Sequence, residues 1–496
     1  MVITVLSKVF GFLRDITLSY FYGASSISDA YIISITISTV LFSLVITGIS
    51  SGYIPLYKLI ENDDGEKSAR IFTNNVVNFV IIISTILIVF GLLFSDKIVK
   101  IFALGFDEET LKIAVLFTRI GLVGIYFTSL TQLFSGYLQL NGKFAVPAII
   151  GFPFNLIIIL SIIISAQTNI IVLAIGGVFA ALVQLLFLTP SLYKLKYRYV
   201  PKVQLRDESI KKMAFLVLPI AMGMSVDHIN SMVDKTLASK IVEGGISALT
   251  YATRLNDFVI GIFVISFITV LFPLISKMAA NENTNELKKS LSEVLSSVML
   301  LVVPASIGIM VLAEPIIKLL YGRGHFDEQA IYLTSQALFF YSIGMIGYGT
   351  REILIRSFYS LQDMKTPMYN ASIAVILNII LNIILSAYMG IGGLALATSI
   401  AALFSTCLLF LSLRKKIGPL GLSKLGVTML KVIVASGVMG SIVYLLNEYI
   451  WMTLDGVIKM GLVIFIGCII YVTIITLLKV EEAKIIKTLL RKKVRL

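Results

Sequence analysis

Residues 390–411 read GIGGLALATSIAALFSTCLLFL, and residues 174–188 read AIGGVFAALVQLLFL. Each lies in an apolar run of roughly 20 residues, the length a helix needs to cross a hydrocarbon core of ~30 Å. Working outward, the two stretches share more than a Gly-Gly opening. Upstream of the first stands GYLQLNGKFAVP (136–147), then an apolar helix carrying Asn155; upstream of the second stands SFYSLQDMKTP (357–367), then an apolar helix carrying Asn378 and Asn382. Downstream of each comes a basic loop, at 194–212 and at 414–424. The common order is aromatic, polar turn, proline, apolar helix, Gly-Gly, small-residue helix, basic loop, at a separation of about 220 residues. An internal repeat of this period predicts duplicated halves, and six spans in each half preserve topology, as in a parallel repeat about an axis along the membrane normal. Such repeats place a transport site at their interface near the bilayer midplane.

The remainder of the chain is consistent with that frame. Of its 496 residues, 57% are hydrophobic and 14% charged, against roughly 25% charged in soluble proteins. Some fourteen apolar stretches fill it, with short polar segments between them. The expected fold is an all-α integral membrane protein of about 14 transmembrane helices, with two six-helix lobes in parallel pseudo-two-fold repeat plus two C-terminal helices. The expected organisation is an N-lobe over 1–193, a linker over 194–212, a C-lobe over 213–415, and two further helices with a basic tail over 416–496.

The net charge of +13 is distributed by topology. Lys and Arg crowd the loops 58–70, 194–212, 277–289 and 414–424 and the tail 484–496, while 21–29, 165–169, 387–392 and 447–456 carry almost none. The basic set is expected to be cytoplasmic, with both termini inside. No aromatic-interleaved platform for single-stranded nucleic acid is evident. Cys407 and Cys468 lie within apolar stretches, without metal-ligand spacing or a disulfide framework. Lys8, Arg14 and Asp15 interrupt the first apolar stretch, so no cleavable signal peptide is expected.

Charges inside apolar runs are the candidate functional groups, because a charge in a membrane helix is costly and usually faces a polar cavity. Arg14, Asp29, Asp234 and Arg254 are of this kind. Arg14 and Asp15 are neighbours on one helix, about 100° apart, an arrangement that argues against simple mutual neutralisation. Asp29 opens the second span, where an N-cap role is the plain expectation. Arg254 has Asp257 one turn on, so an i,i+3 pair competes with a cavity role. Arginines from both halves facing one cavity would suit phosphate oxygens, which guanidinium forks bind bidentately. A second polar row holds Asp227, His228, Asn230, Asp234 and Lys235. Asp227 and Asp234 share a face, and a carboxylate with Asn378, Asn382 and Thr398 makes a hard oxygen set suited to a small cation, against the simpler expectation of interhelical hydrogen bonding. Arg351, Glu352 and Arg356 would stabilise or gate one end of their span through an i,i+4 pair.

Three stretches carry a family resemblance. SKVFGFLRDITLSYFYGASSISDAY (7–31), YATRLNDFVIGIFVISFITVLFPLISK (251–277) and REILIRSFYSLQDMKTP (351–367) resemble the MurJ (MviN) lipid II flippases of the MATE-like exporter superfamily. The resemblance implies two lobes around a cationic cavity that rock between inward- and outward-open states, carrying the undecaprenyl-pyrophosphate-linked peptidoglycan precursor. It implies that Arg14 and Arg254 are cavity arginines, that Lys8 and Asp29 belong to the same site, and that the last two helices form a groove for the lipid tail. It also implies a sodium site at Asp234, Asn378, Asn382 and Thr398, with sodium as a coupling ion and no other cofactor. One departure stands out: Phe42, Ser43 and Thr47 occupy positions where many members carry an Arg-Arg pair and an acid.

The expected function is therefore lipid II translocation in the bacterial cytoplasmic membrane, by a monomer, with membrane lipids and the lipid-linked precursor as partners and no nucleic acid. Association with cell-wall synthesis machinery is left open. A flippase for another polyprenyl-linked saccharide is the nearest alternative, favoured by the missing arginine pair. A membrane glycosyltransferase is the alternative from another class, and it would need acidic catalytic residues in a substantial external loop.

Overall fold

Strings such as GFPFNLIIILSIIISAQ (151–167) are poor helix formers in water because branched side chains lose χ1 freedom there. In hydrocarbon the balance reverses, since every backbone N–H and C=O must be paired within the segment. In the computed structural model that string is a helix, and no strand occurs among the described residues, which are 2–202, 204, 207–261, 264, 284–419, 422–449 and 456–480.

The chain divides into two compact units, residues 1–247 with 323–327, and residues 248–322 with 328–496. The first contains α1 (Val2–Tyr22), α2 (Ser26–Thr47), a π-helical turn (Gly48–Tyr53), α3 (Ile54–Phe102), α4 (Glu108–Leu122), α5 (Gly124–Leu140), the short α6 (Ala145–Ile149), α7 (Gly151–Gln167), α8 (Ile171–Lys194) and α9 (Glu208–Ile241). In it α1 packs on α7, α7 on α8, α8 on α5, and α2 on α4. Helix α10 (Gly245–Ile260) begins in the first unit and continues into the second. The second unit goes on with α11 (Thr284–Val311), α12 (Ala313–Leu320), α13 (Glu328–Ser360), α14 (Lys365–Ile417), α15 (Leu422–Tyr449) and α16 (Gly456–Leu477). There α13 packs along α14, and α11 lies against both α13 and α15.

Among the described residues, eight stretches are long and apolar enough to cross a membrane, or nine if the bent pair α4–α5 counts as one. Two of these are too long for one crossing of a ~30 Å core. One runs over residues 26–102, and the other is α14, 53 residues long. Helix α3 breaks at Gly65 (φ 82°) and α14 at Gly390 (φ 55°), left-handed conformations that a glycine adopts without steric cost. Large apolar side chains such as Leu93 (72% exposed), Ile376 and Phe465 point outward, as lipid-facing positions should.

Close helix contacts in each unit rest on small residues, which let backbones approach where no hydrophobic driving force acts between helices. A Cβ on Gly176 of α8 would meet the Ser161 side chain of α7, and one on Gly347 of α13 would lie 2.9 Å from the Ala402 backbone of α14. The aromatic core of the first unit is built from Tyr53, Tyr57, Phe72, Phe134, Tyr137 and Tyr197.

The repeated sequence has a repeated backbone. After α5, Asn141 N donates to Tyr137 O, Gly142 N to Gln139 O and Lys143 N to Leu138 O; after α13, Leu361 N donates to Ser357 O, Gln362 N to Tyr359 O and Asp363 N to Phe358 O. Both are helix-ending turns of the Schellman kind, closed by a left-handed residue, Gly142 (φ 73°) in one and Gln362 (φ 57°) in the other.

Candidate functional site

Arg14 lies in α1, on the wall of a cavity of about 220 Å³ in the first unit. Its Nε and Nη2 donate to Asp15 Oδ1 at 3.0 and 2.8 Å, and its Nη1 donates to Asn155 Oδ1 at 3.3 Å. Asn155, on α7, is itself oriented by donating from Nδ2 to Gly151 O at 2.8 Å. The expectation that adjacent Arg14 and Asp15 do not neutralise one another is thus overturned. The Cα–Cβ vectors diverge, but the arginine stem is long enough to fold its guanidinium back over the neighbouring carboxylate. Three of the five N–H donors of the guanidinium are engaged, which leaves two for an anion. Asp15 and Asn155 are partners of Arg14 that the sequence did not single out for this role. Asn155 is 141 residues away from Arg14, and only its place in the repeat marked it.

The same cavity is lined by Tyr31, Ser34, Ser38 and Phe42. Phe42 supplies an aromatic wall and packs against the α3 core. Ser43 Oγ donates to the Val40 carbonyl of its own helix, while the side chain of Thr47 lies outside the described ones. Lys8 is exposed on α1, and Ser7 Oγ donates to Ala148 O at 3.4 Å.

Asp29 does not cap its own helix. Helix α2 already begins at Ser26, and the Asp29 N–H bonds back to Ser25 O. Its carboxylate is buried and accepts from the Ser247 backbone N–H at 2.7 Å, so it caps the first turn of α10. The capping chemistry expected of this aspartate is present, but on a helix 218 residues further along. Beside it, Ser26 N donates to Glu243 Oε1 at 3.2 Å. The exposed His325 donates from its backbone N–H to Tyr20 O at 2.9 Å.

Arg254 and Asp257 are exposed on α10, in the second unit, while Leu255 and Asn256 between them are buried. On α13, Arg356 Nε stands 3.9 Å from Glu352 Oε2, a loose, half-exposed i,i+4 pair, with Arg351 half-buried nearby in sequence.

In α14, Asn382 Nδ2 donates to Asn378 Oδ1 at 2.8 Å, Asn378 Nδ2 to Thr398 Oγ1 at 3.3 Å, and Thr398 Oγ1 to Leu394 O at 3.0 Å. All three side chains are buried. The fold therefore brings together three of the four residues expected to hold a cation, across the break at Gly390. Asp234 is half-buried on α9 and belongs to the first unit, where its neighbour Lys235 donates from Nζ to Thr36 Oγ1. The side chain of Asp227 lies outside the described ones. Amide and hydroxyl oxygens are hard donors, a set whose chemistry fits a small cation such as sodium.

Many apolar helices in two units, with guanidinium and carboxamide groups held inside membrane-length segments, define a multi-span helical transporter. Solved structures agree on that class. An inward-facing multidrug MATE transporter superposes with a TM-score of 0.72 at 13% identity, over 84% of this chain and 95% of its own. A structure of lipid II flippase MurJ in an inward closed conformation superposes with a TM-score of 0.82 at 28% identity, over 96% and 97%. The family profile described as lipid II flippase MurJ matches residues 18–465. A probable lipid II flippase MurJ of Buchnera aphidicola subsp. Baizongia pistaciae is 32% identical over 82% of this chain and 81% of its own length. The corresponding protein of Thermotoga maritima is 29% identical over 97% and 95%. The chain belongs to the MurJ family of lipid II flippases.

Proposed function

We propose that this chain carries lipid II across the cytoplasmic membrane by alternating access, with the pyrophosphate gathered by Arg14 and Arg254 and assisted by Lys8. The observation that carries the reading is the placement of Arg14. Its guanidinium is held at a cavity wall by Asp15 and Asn155 with donors to spare, so an incoming phosphate meets an oriented fork and does not have to order a flexible one. Asp29 serves the same site indirectly, by fixing the start of the helix that bears Arg254. The aromatic wall at Phe42 gives the cavity that holds this fork an apolar surface, which suits the first isoprene units behind the pyrophosphate. The helices beyond residue 416 take the rest of the tail.

The second element of the proposal is coupling. A sodium ion at Asn378, Asn382 and Thr398, completed by Asp234, biases the return of the empty carrier. The hydrogen-bonded amide–hydroxyl chain supports this by gathering hard oxygens inside the bilayer span. Both termini lie on the cytoplasmic side, following the basic loops. Arg351, Glu352 and Arg356 act at the gate on that side.

The test is complementation of a bacterium depleted of its lipid II flippase. The wild-type chain is expected to restore growth, and Arg254→Ala, inserted at equal level, to fail. Growth supported equally by Arg14→Ala and Arg254→Ala would remove the phosphate role from both arginines.

A further inference from the structure

The segment that follows α8 is an ordered feature of the fold. Asn74 Oδ1 accepts from Tyr197 OH at 2.8 Å and from Val200 N at 3.3 Å, while its Nδ2 donates to Arg198 O at 3.3 Å. One helical turn on, Asn78 Oδ1 accepts from Tyr199 OH at 2.6 Å, and its Nδ2 donates to Val200 O and Lys202 O at 3.3 and 3.0 Å. Asn75 holds the next stretch, with Nδ2 to Gln204 O and Asp207 Oδ2 and Oδ1 accepting from Gln204 N. The match is geometric. Four residues of helix rise about 6 Å and two residues of extended chain about 6.6 Å, so Asn74 and Asn78 fall in register with Tyr197 and Tyr199.

Because side chains alternate along an extended chain, directing Tyr197 and Tyr199 to α3 turns Arg198 between them away from it, while Lys194 ends α8 and Lys196 (φ 54°) lies in the turn that closes it. Lys194, Lys196, Arg198 and Lys202 are all exposed, and none has an acidic partner among the described residues. No acidic residue occurs between 194 and 202. Tyr193 is 84% exposed at the end of α8, and Tyr199 is 50% exposed. The asparagines sit in the first turns of the apolar part of α3, just after the charged run 58–70, so the segment lies at the depth of the lipid headgroups. Positive-inside topology alone requires basic residues in this loop, but it does not require three amides to fix its backbone.

We infer that residues 194–202, laid along α3 by Asn74, Asn75 and Asn78, form a built surface for the phosphate headgroups of anionic membrane lipids on the face that carries the basic loops. Immobilising the backbone beforehand removes most of the ordering cost of gathering several cations around one headgroup. Tyr193 and Tyr199 supply the amphipathic rings that settle at a membrane interface. Each cation near an anionic surface is worth about a fivefold preference. The inference takes from the preceding reading only that the chain spans the membrane; it is independent of the transported substrate.

The full chain is reconstituted in phosphatidylcholine vesicles doped with spin-labelled phosphatidylglycerol or spin-labelled phosphatidylcholine, and the motionally restricted fraction of each label is measured. Wild type is expected to enrich the anionic label several-fold over the zwitterionic one. R198Q/K202Q should lose most of that preference, while K288Q/K289Q, which removes the same charge from the basic first turns of α11, should keep it. N74L/N78L, with every charge intact, should fall to an intermediate value. An R198Q/K202Q chain with wild-type selectivity, or a K288Q/K289Q chain that loses as much, overturns the assignment. An unchanged N74L/N78L chain overturns the role of the asparagines. Flipping is not read in this assay, so failure here leaves the transport reading where it was.

Discussion

At the scale of single residues, the ionisable groups inside the spans are defined by partners that helical periodicity does not point to. Arg14 and Asp15 share a mostly buried ion pair, with side chains 21% and 12% exposed. Removing one member leaves the other charged and poorly solvated, which typically costs about 3 kcal/mol. Asp15→Ala is therefore expected to lower the thermal midpoint of the purified protein by several degrees, and Asp15→Glu by much less. Asp29 offers a cleaner separation of charge from geometry. Asp29→Ala removes the acceptor for Ser247 N–H and should cost about 1 kcal/mol, as for other lost caps. Asp29→Asn keeps an acceptor oxygen and should recover most of that stability. If flipping falls equally in both variants, the carboxylate charge matters in its own right; if Asn behaves as wild type, the cap is the whole role.

At the scale of elements, the two ends of α14 are joined outside the membrane. Asp363, in the turn before the helix, caps it by accepting from Thr366 N and Oγ1 at 3.0 and 2.9 Å, and it pairs with Lys416 at the far end at 2.7 Å. The hydrogen bond from Lys416, with those from Thr366, holds the Asp363 carboxyl down at about 2. A carboxyl depressed in the folded state contributes stability above its ordinary value of 3.8, and that contribution is lost as pH falls through about 2. The stability gap between wild type and Asp363→Asn should accordingly be constant from neutral pH to about 4 and close as pH falls toward 2. The gap itself is modest, under about 1 kcal/mol, because Lys416 is 40% exposed and solvent screens the pair. A gap that persists unchanged at pH 2 would assign the effect to the Thr366 cap alone. Much of this element was legible beforehand. The turn 357–367 announced itself through its counterpart at 136–147, and Asn378 with Asn382 through i,i+4 spacing. The salt link from Asp363 to Lys416 was not, since 53 residues separate them and each charge taken alone is an ordinary loop residue.

At the scale of the whole molecule, two units carry unlike polar equipment: a guanidinium site in the first and an amide–hydroxyl chain in the second. If cation binding at the second drives reopening, replacing sodium by choline should slow flipping by wild type and leave an Asn378→Leu/Asn382→Leu chain at the same low rate in both salts. Equal sodium dependence in the two proteins would exclude these residues as the coupling site. The asparagine-held segment at 194–202 belongs to this scale too, since it fixes how the chain leaves α8 and enters α9.

By itself the sequence determined the solvent of this protein, its helical class, its repeat and its family. Those depend on local quantities: the length of apolar runs, the order of turns, and short motifs such as residues 351–367. Which carboxylate neutralises Arg14, which helix Asp29 caps and what holds the segment after α8 were decided only by tertiary structure. Each depends on a hydrogen bond between residues far apart in the chain or on a side chain bending away from its helical direction, and neither leaves a periodic trace in sequence.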